Sequence, residues 1–282
     1  MNYSTVNSTT PEASTISTTD SIDLMESLEI CLYSINFLFG LPAHSYVIWL
    51  IVTGTQSGIA SGFFNLNLSV CEIGNCLNSF IFALSMWFSC LTTLECFLLG
   101  LSLTGRPLFQ CLKCVERFLA VVHPVTFLKF KPLRYRAICS TAAWIICFGS
   151  CFVCMFTIDS QNIKHFWFLS MQCLIFLSIQ LVCLSAVLRA LKQSGPGESG
   201  RERGEENHVK RRAFYLILIT TVTMVIQYVP STISGFFTIL KLNISPLEYI
   251  ALICYLLSGF VHPVLYLHRA GKLPCHCSPN KC

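Results

Sequence analysis

The chain has 282 residues, 54% of them hydrophobic and 12% charged, with a mean hydropathy of +0.63 and a formal net charge of +5. Charge this scarce cannot cover a soluble surface, and it sits between apolar stretches rather than on the basic face that nucleic-acid binding needs. Runs of about 20 apolar residues, enough to cross roughly 30 Å of hydrocarbon, point to an all-α protein of the membrane.

Residues 1–27 are rich in Ser and Thr and carry acidic but no basic side chains, the composition of a disordered tail. Asn2-Tyr3-Ser4 and Asn7-Ser8-Thr9 are glycosylation sequons, meaningful if this tail lies outside the cell. Seven candidate spans follow over 28–53, 62–88, 89–122, 134–157, 166–191, 209–240 and 246–268. They form one bundle domain, 28–268, followed by a short tail, 269–282. The third span is the least hydrophobic, because Arg106, Lys113, Glu116 and Arg117 interrupt it.

Basic residues choose the orientation. Lys129, Lys131, Arg134 and Arg136 separate spans three and four, and a larger group including Lys210, Arg211 and Arg212 separates five and six. The other side offers Lys164 and Lys241. Lys and Arg accumulate on the cytoplasmic side, so the amino terminus is expected outside and the carboxyl terminus inside. The seventeen cysteines fall mostly within apolar runs, where a thiol acts as a small hydrophobe. Cys275, Cys277 and Cys282 instead lie beyond the last span, as lipidation candidates or free thiols. No zinc-ligand spacing is present, and no cofactor or catalytic chemistry is expected.

With the spans in order, several motifs fall on separate helices. Glu116-Arg117-Phe118 and the following His123-Pro124 close span three, and Asn67-Leu68-Ser69-Val70-Cys71-Glu72 lies in span two. Trp144 stands in span four, Tyr228-Val229-Pro230 in span six and His262-Pro263-Val264-Leu265-Tyr266 in span seven. Jointly this pattern resembles the rhodopsin-like G-protein-coupled receptors, over residues 28–270, and leans toward the branch of nucleotide, lipid and protease-activated receptors.

The resemblance implies a plasma-membrane receptor that passes an extracellular signal to a heterotrimeric G protein. Arg117 would be held beside Glu116 at rest and face the G-protein cavity when the sixth helix swings out. Val125, after Pro124, would dock the G protein. Pro230 and Pro263 would bend their helices as pivots, with Tyr228, His262 and Tyr266 as switches. The residues alone allow blander roles: a snorkelling Arg117, tolerated prolines, and Val125 touching the membrane surface.

Departures from the family pattern are specific. His44 stands for an Asn, Glu72 for an Asp, His262 for an Asn and Tyr228 for a Trp. Basic Lys210 replaces an acid, and residues 159–165 lack the cysteine of the usual outer disulfide, leaving Cys90 or Cys96 to another partner such as Cys31 or Cys173. Arg106, Gln110, Lys113 and Arg117 share one helix face, and a polar stripe must face the bundle interior. Glu72 and Arg106 fall at the place where many relatives hold sodium, so the resemblance implies an ion pair there, with His262 as a third member. Lys113 belongs to the same internal polar set.

The ligand is less defined. Leu99 occupies the place of the acidic anchor of amine receptors, and Thr232 and Gly235 the places of basic residues in nucleotide receptors. With Leu103, Tyr228, Phe236, Tyr249 and Leu252 they frame an apolar pocket, favouring a lipid-like or peptide ligand. Glu95 at the rim would meet a cationic group or stay solvated. The competing functions are a seven-helix decoy or partner subunit without G-protein coupling and, with less support, a small transporter or channel.

Overall fold

The structure is a computed structural model that describes residues 27–54, 58–130, 132–157, 163–192, 200–240 and 245–269. The sequons at Asn2 and Asn7, and Cys275, Cys277 and Cys282, lie outside the described residues.

Among the described residues the fold is helical. Helix α1 covers Ser27–Thr53, α2 Gly58–Ser85, α3 Thr92–Val122, α4 Leu133–Thr157, α5 Ile163–Lys192, α6 Gly200–Ile239 and α7 Ser245–Arg269. A short helix, Pro124–Phe130, follows α3; it begins on proline, whose fixed φ suits a first turn. Six of the helices, all but α3, are long and apolar enough to cross a membrane. Polar residues hold α3 below that level, although it runs for 31 residues.

The molecule is polar within and apolar without. Arg106, Glu72, Gln180, Gln227 and His44 are sealed inside, while Ile145 is 68% and Phe156 73% exposed on α4. Such an outer face would aggregate in water, whereas hydrocarbon solvates it, and polar side chains then find partners only in the interior.

Helix α3 is the central post, with one flank buried from Gly100 to Cys114. It packs on α2, α4, α5 and α6. The α3–α4 contact is close because its residues are small. A Cβ on Gly100 would stand 2.6 Å from the Cα of Cys151, and one on Gly105 would stand 3.5 Å from the Cys147 sulfur. Cys147, Cys151 and Cys154 repeat along the facing side of α4, all fully buried. Without a hydrophobic drive between helices in lipid, close van der Waals contact of small residues is what joins them. Asn67 links this seam to α2 by accepting a hydrogen bond from Trp144 Nε1 at 2.8 Å. No disulfide joins the described cysteines, so the alternative pairing of Cys90 or Cys96 with Cys31 or Cys173 is not formed.

Candidate functional site

Two polar centres lie along α3. The first surrounds Arg106, which is 1% exposed. Its Nη2 donates to Glu72 Oε2 on α2 at 2.6 Å. Its Nη1 donates to the Tyr255 carbonyl at 3.0 Å and to Ser258 Oγ at 3.1 Å, both on α7. The guanidinium also lies over the Tyr255 ring, 4.7 Å from the centroid, and the Tyr255 hydroxyl donates to Asn75 on α2 at 3.2 Å. One side chain therefore ties three helices. Gly259 leaves room for it: a Cβ there would sit 3.2 Å from Nη2.

Prolines explain two of the unusual side chains nearby. Pro107 has no N–H, so the carbonyl of Leu103, four residues earlier, loses its helical donor. The Tyr228 hydroxyl supplies one from α6, at 2.9 Å. Pro263 frees the Gly259 carbonyl on α7 in the same way, and the His44 ring of α1 lies close to that backbone. In a membrane interior such a carbonyl has no water to turn to, so Pro107 is matched by a donor on another helix. Pro107 was open to this reading from sequence, since an internal proline always releases the carbonyl at the fourth position before it.

The second centre lies two turns further along α3. A cleft there is lined by Asn65, Lys113, Arg117, Thr220, His262 and Tyr266, among others. His262 Nε2 pairs with Asn65 Oδ1 at 3.3 Å, and its ring stacks on His44 with centroids 6.1 Å apart. His262 thus joins Asn65 rather than the Glu72–Arg106 pair, and Lys113 borders the cleft rather than that pair.

The expected resting contact between Glu116 and Arg117 is replaced. Glu116 Oε1 meets Nη2 of Arg136 on α4 at 2.6 Å. Neighbouring helix residues project about 100° apart, so a carboxylate turned toward α4 leaves Arg117 turned toward the cleft. Sequence reading passed over Arg136 as a loop charge; the signal was an Arg at the fourth position of an apolar helix. Phe118 packs edge-on against His123, with centroids 5.6 Å apart. Val125 is 70% exposed on the short helix.

No family model matches the chain. It is similar to human chemokine XC receptor 1, 27% identical over 280 residues, covering 87% of this chain and 78% of that protein. It is also similar to rat hydroxycarboxylic acid receptor 2, 24% identical with 88% and 77% covered, and to human C-C chemokine receptor type 4, 25% identical with 76% and 63% covered. These relatives are rhodopsin-like G-protein-coupled receptors, the family that the motifs of this chain resemble. They are receptors, and the described residues of this chain hold six helices long and apolar enough to cross a membrane.

Of the ligand-pocket candidates, Leu103 and Thr232 converge on Tyr228: Leu103 through its carbonyl, Thr232 by donating to the Tyr228 carbonyl at 2.8 Å. Leu99, Tyr249 and Leu252 are half-buried, whereas Phe236 is 55% exposed. Glu95 accepts a hydrogen bond from Ser85 at 2.6 Å, which joins the end of α2 to the start of α3. Pro230 lies inside α6, Pro263 inside α7, and Tyr266 reaches the cleft.

Proposed function

We propose that the receptor crosses the membrane seven times, with its amino terminus outside, and couples to a heterotrimeric G protein at the Arg117 end. The observation that carries this is the cleft beside Arg117, bounded by residues of α2, α3, α6 and α7. A guanidinium turned into a cleft between helices is available to an incoming partner. The exposed Val125 stands on the adjoining short helix as a second, apolar contact. The share of basic side chains at this end supports a cytoplasmic location. Helix α3 completes the bundle despite its polarity, because its polar groups face inward.

The ligand we favour is apolar, lipid-like or a peptide, rather than an amine or nucleotide. The relatives' names span chemokines and a hydroxycarboxylic acid, which agrees with a peptide and adds a small acid as competitor. Nucleotide exchange on purified G protein, with the receptor reconstituted in lipid, tests coupling. Exchange above the empty-membrane level is expected. Its absence across all G-protein classes favours the second reading, a receptor relative that does not couple. That reading draws on the Glu116–Arg136 contact, which removes the carboxylate from Arg117.

A further inference from the structure

We infer that Pro107 positions a catch between α3 and α6: the Leu103 carbonyl, left without its helical donor, is the grip by which Tyr228 holds α6 in place. The inference deepens the coupling reading, since it names what keeps the Arg117 cleft narrow. Leu216, Ile217 and Thr220 of α6 form one wall of that cleft, so a shift of this stretch of α6 widens it. Pro230 follows Tyr228 closely in the same helix, and a proline removes a helical hydrogen bond and permits a bend. Tyr228 is therefore fixed to α3 beside the place where α6 can flex.

The Tyr228 hydroxyl donates to Leu103 at 2.9 Å, and Tyr228 is buried. Further along α3 the Cys114 sulfur meets Thr220 Oγ1 at 3.2 Å. A thiol is a weak partner, and Thr220 also donates to carbonyls of its own helix. Met224 and Cys111 pack around Tyr228, and Ile217 packs beside Cys114. With an ordinary residue at position 107, a departing Tyr228 would strand its own hydroxyl alone, because the Leu103 carbonyl would keep a helical N–H. With proline there, the hydroxyl and the carbonyl lose their partners together, in a region without water. Buried polar groups without partners are unfavourable, so the proline raises the cost of moving α6. Pro107 thus has two effects of opposite sign: it costs α3 a hydrogen bond and it tightens α3 against α6.

Two native thiols report on two different seams. Cys114 is buried where α3 meets α5 and α6, and Cys147 where α4 meets α3. The full chain in phosphatidylcholine nanodiscs is treated with N-ethylmaleimide, and labelling at each cysteine is followed by peptide mass spectrometry. Tyr228→Phe and Pro107→Ala should each speed labelling of Cys114 on the order of tenfold and leave Cys147 at the parent rate. The double variant should label no faster than Tyr228→Phe alone, because both changes release the same catch. Pro107→Ala should act without lowering the unfolding temperature, since it restores a helical hydrogen bond; a merely structural proline would not combine these effects. Should Tyr228→Phe fail to fold, Pro107→Ala alone decides the matter by the same two thiols. Labelling of Cys114 that neither variant changes overturns the inference, as does a rise confined to Tyr228→Phe or one that Cys147 shares equally. Basal nucleotide exchange on added G protein is measured separately and should rise with Cys114 labelling. Faster labelling without faster exchange supports the catch and counts against the coupling reading alone.

Discussion

Arg106 Nη2 and Glu72 Oε2 meet at 2.6 Å in a part of the bundle closed to solvent. Removing one partner of such a pair strands a buried charge, at a cost of about 3–5 kcal/mol. Glu72→Gln and Arg106→Leu should each lower surface expression strongly. The double variant should recover part of the loss, because coupled residues are not additive. Strict additivity would show that the two charges do not support one another. With a guanidinium already beside the carboxylate, sodium should leave agonist affinity unchanged beyond its ionic strength.

The Tyr228 hydroxyl and the proline at position 107 form a second coupled unit. Tyr228→Phe leaves the Leu103 carbonyl without a donor, at about 1–3 kcal/mol. Pro107→Ala restores the helical N–H, so the double variant should regain stability that Tyr228→Phe loses. Unfolding temperatures of the detergent-purified single and double variants check this. Equal losses from Tyr228→Phe in both backgrounds would refute it.

Coupling depends on Arg117 and Val125 in the proposed function. Arg117→Ala and Val125→Asp should each reduce G-protein nucleotide exchange at least about tenfold, a loss of roughly 1.4 kcal/mol or more of interaction. Surface expression should stay near the parent level. Exchange that survives both changes would show that coupling does not run through Arg117 and Val125.

Glycines on α3 and α4 offer a matched pair. A methyl on Gly100 would press on the Cys151 backbone, whereas nothing lies within 4 Å of one on Gly149. Gly100→Ala should therefore destabilise the protein by about 1–3 kcal/mol through overpacking. Gly149→Ala should be neutral or stabilising by up to about 1 kcal/mol, as expected for a helix position. Thermal unfolding separates the two outcomes.

Topology has its own test. Asn2 and Asn7 should carry glycans if the amino terminus is outside, and removing both sequons should abolish the shift produced by glycosidase digestion. An amino-terminal epitope detected only after permeabilisation would reverse the orientation.

The helices were legible in the apolar runs because hydrocarbon thickness sets their length. Boundaries shifted where helix formation and hydropathy part company. The sixth span, 209–240, becomes Gly200–Ile239, since backbone hydrogen bonding continues through charged residues that a hydropathy reading leaves out. Glu72 and Arg106 could be matched by counting from Arg117, because motifs on both helices supply a register. Arg136 reaching Glu116, and His262 turning to Asn65, depend on how helices rotate about their axes. Sequence spacing within one helix carries no such information. The Tyr228–Leu103 bond had half its signal in Pro107; the donor's identity required the fold.

The seam of buried cysteines on α4 equips the protein with an internal gauge. Cys147, Cys151 and Cys154 are fully shielded, as is Cys71 nearly so, while Cys31, Cys90 and Cys139 are open to reagents. A thiol-reactive fluorophore should consequently label in two phases, a prompt one and one that waits for the α3–α4 seam to part. The amplitude of the slow phase, followed against temperature, would rank additives, lipids or agonists by how firmly they hold the bundle shut, without any engineered reporter.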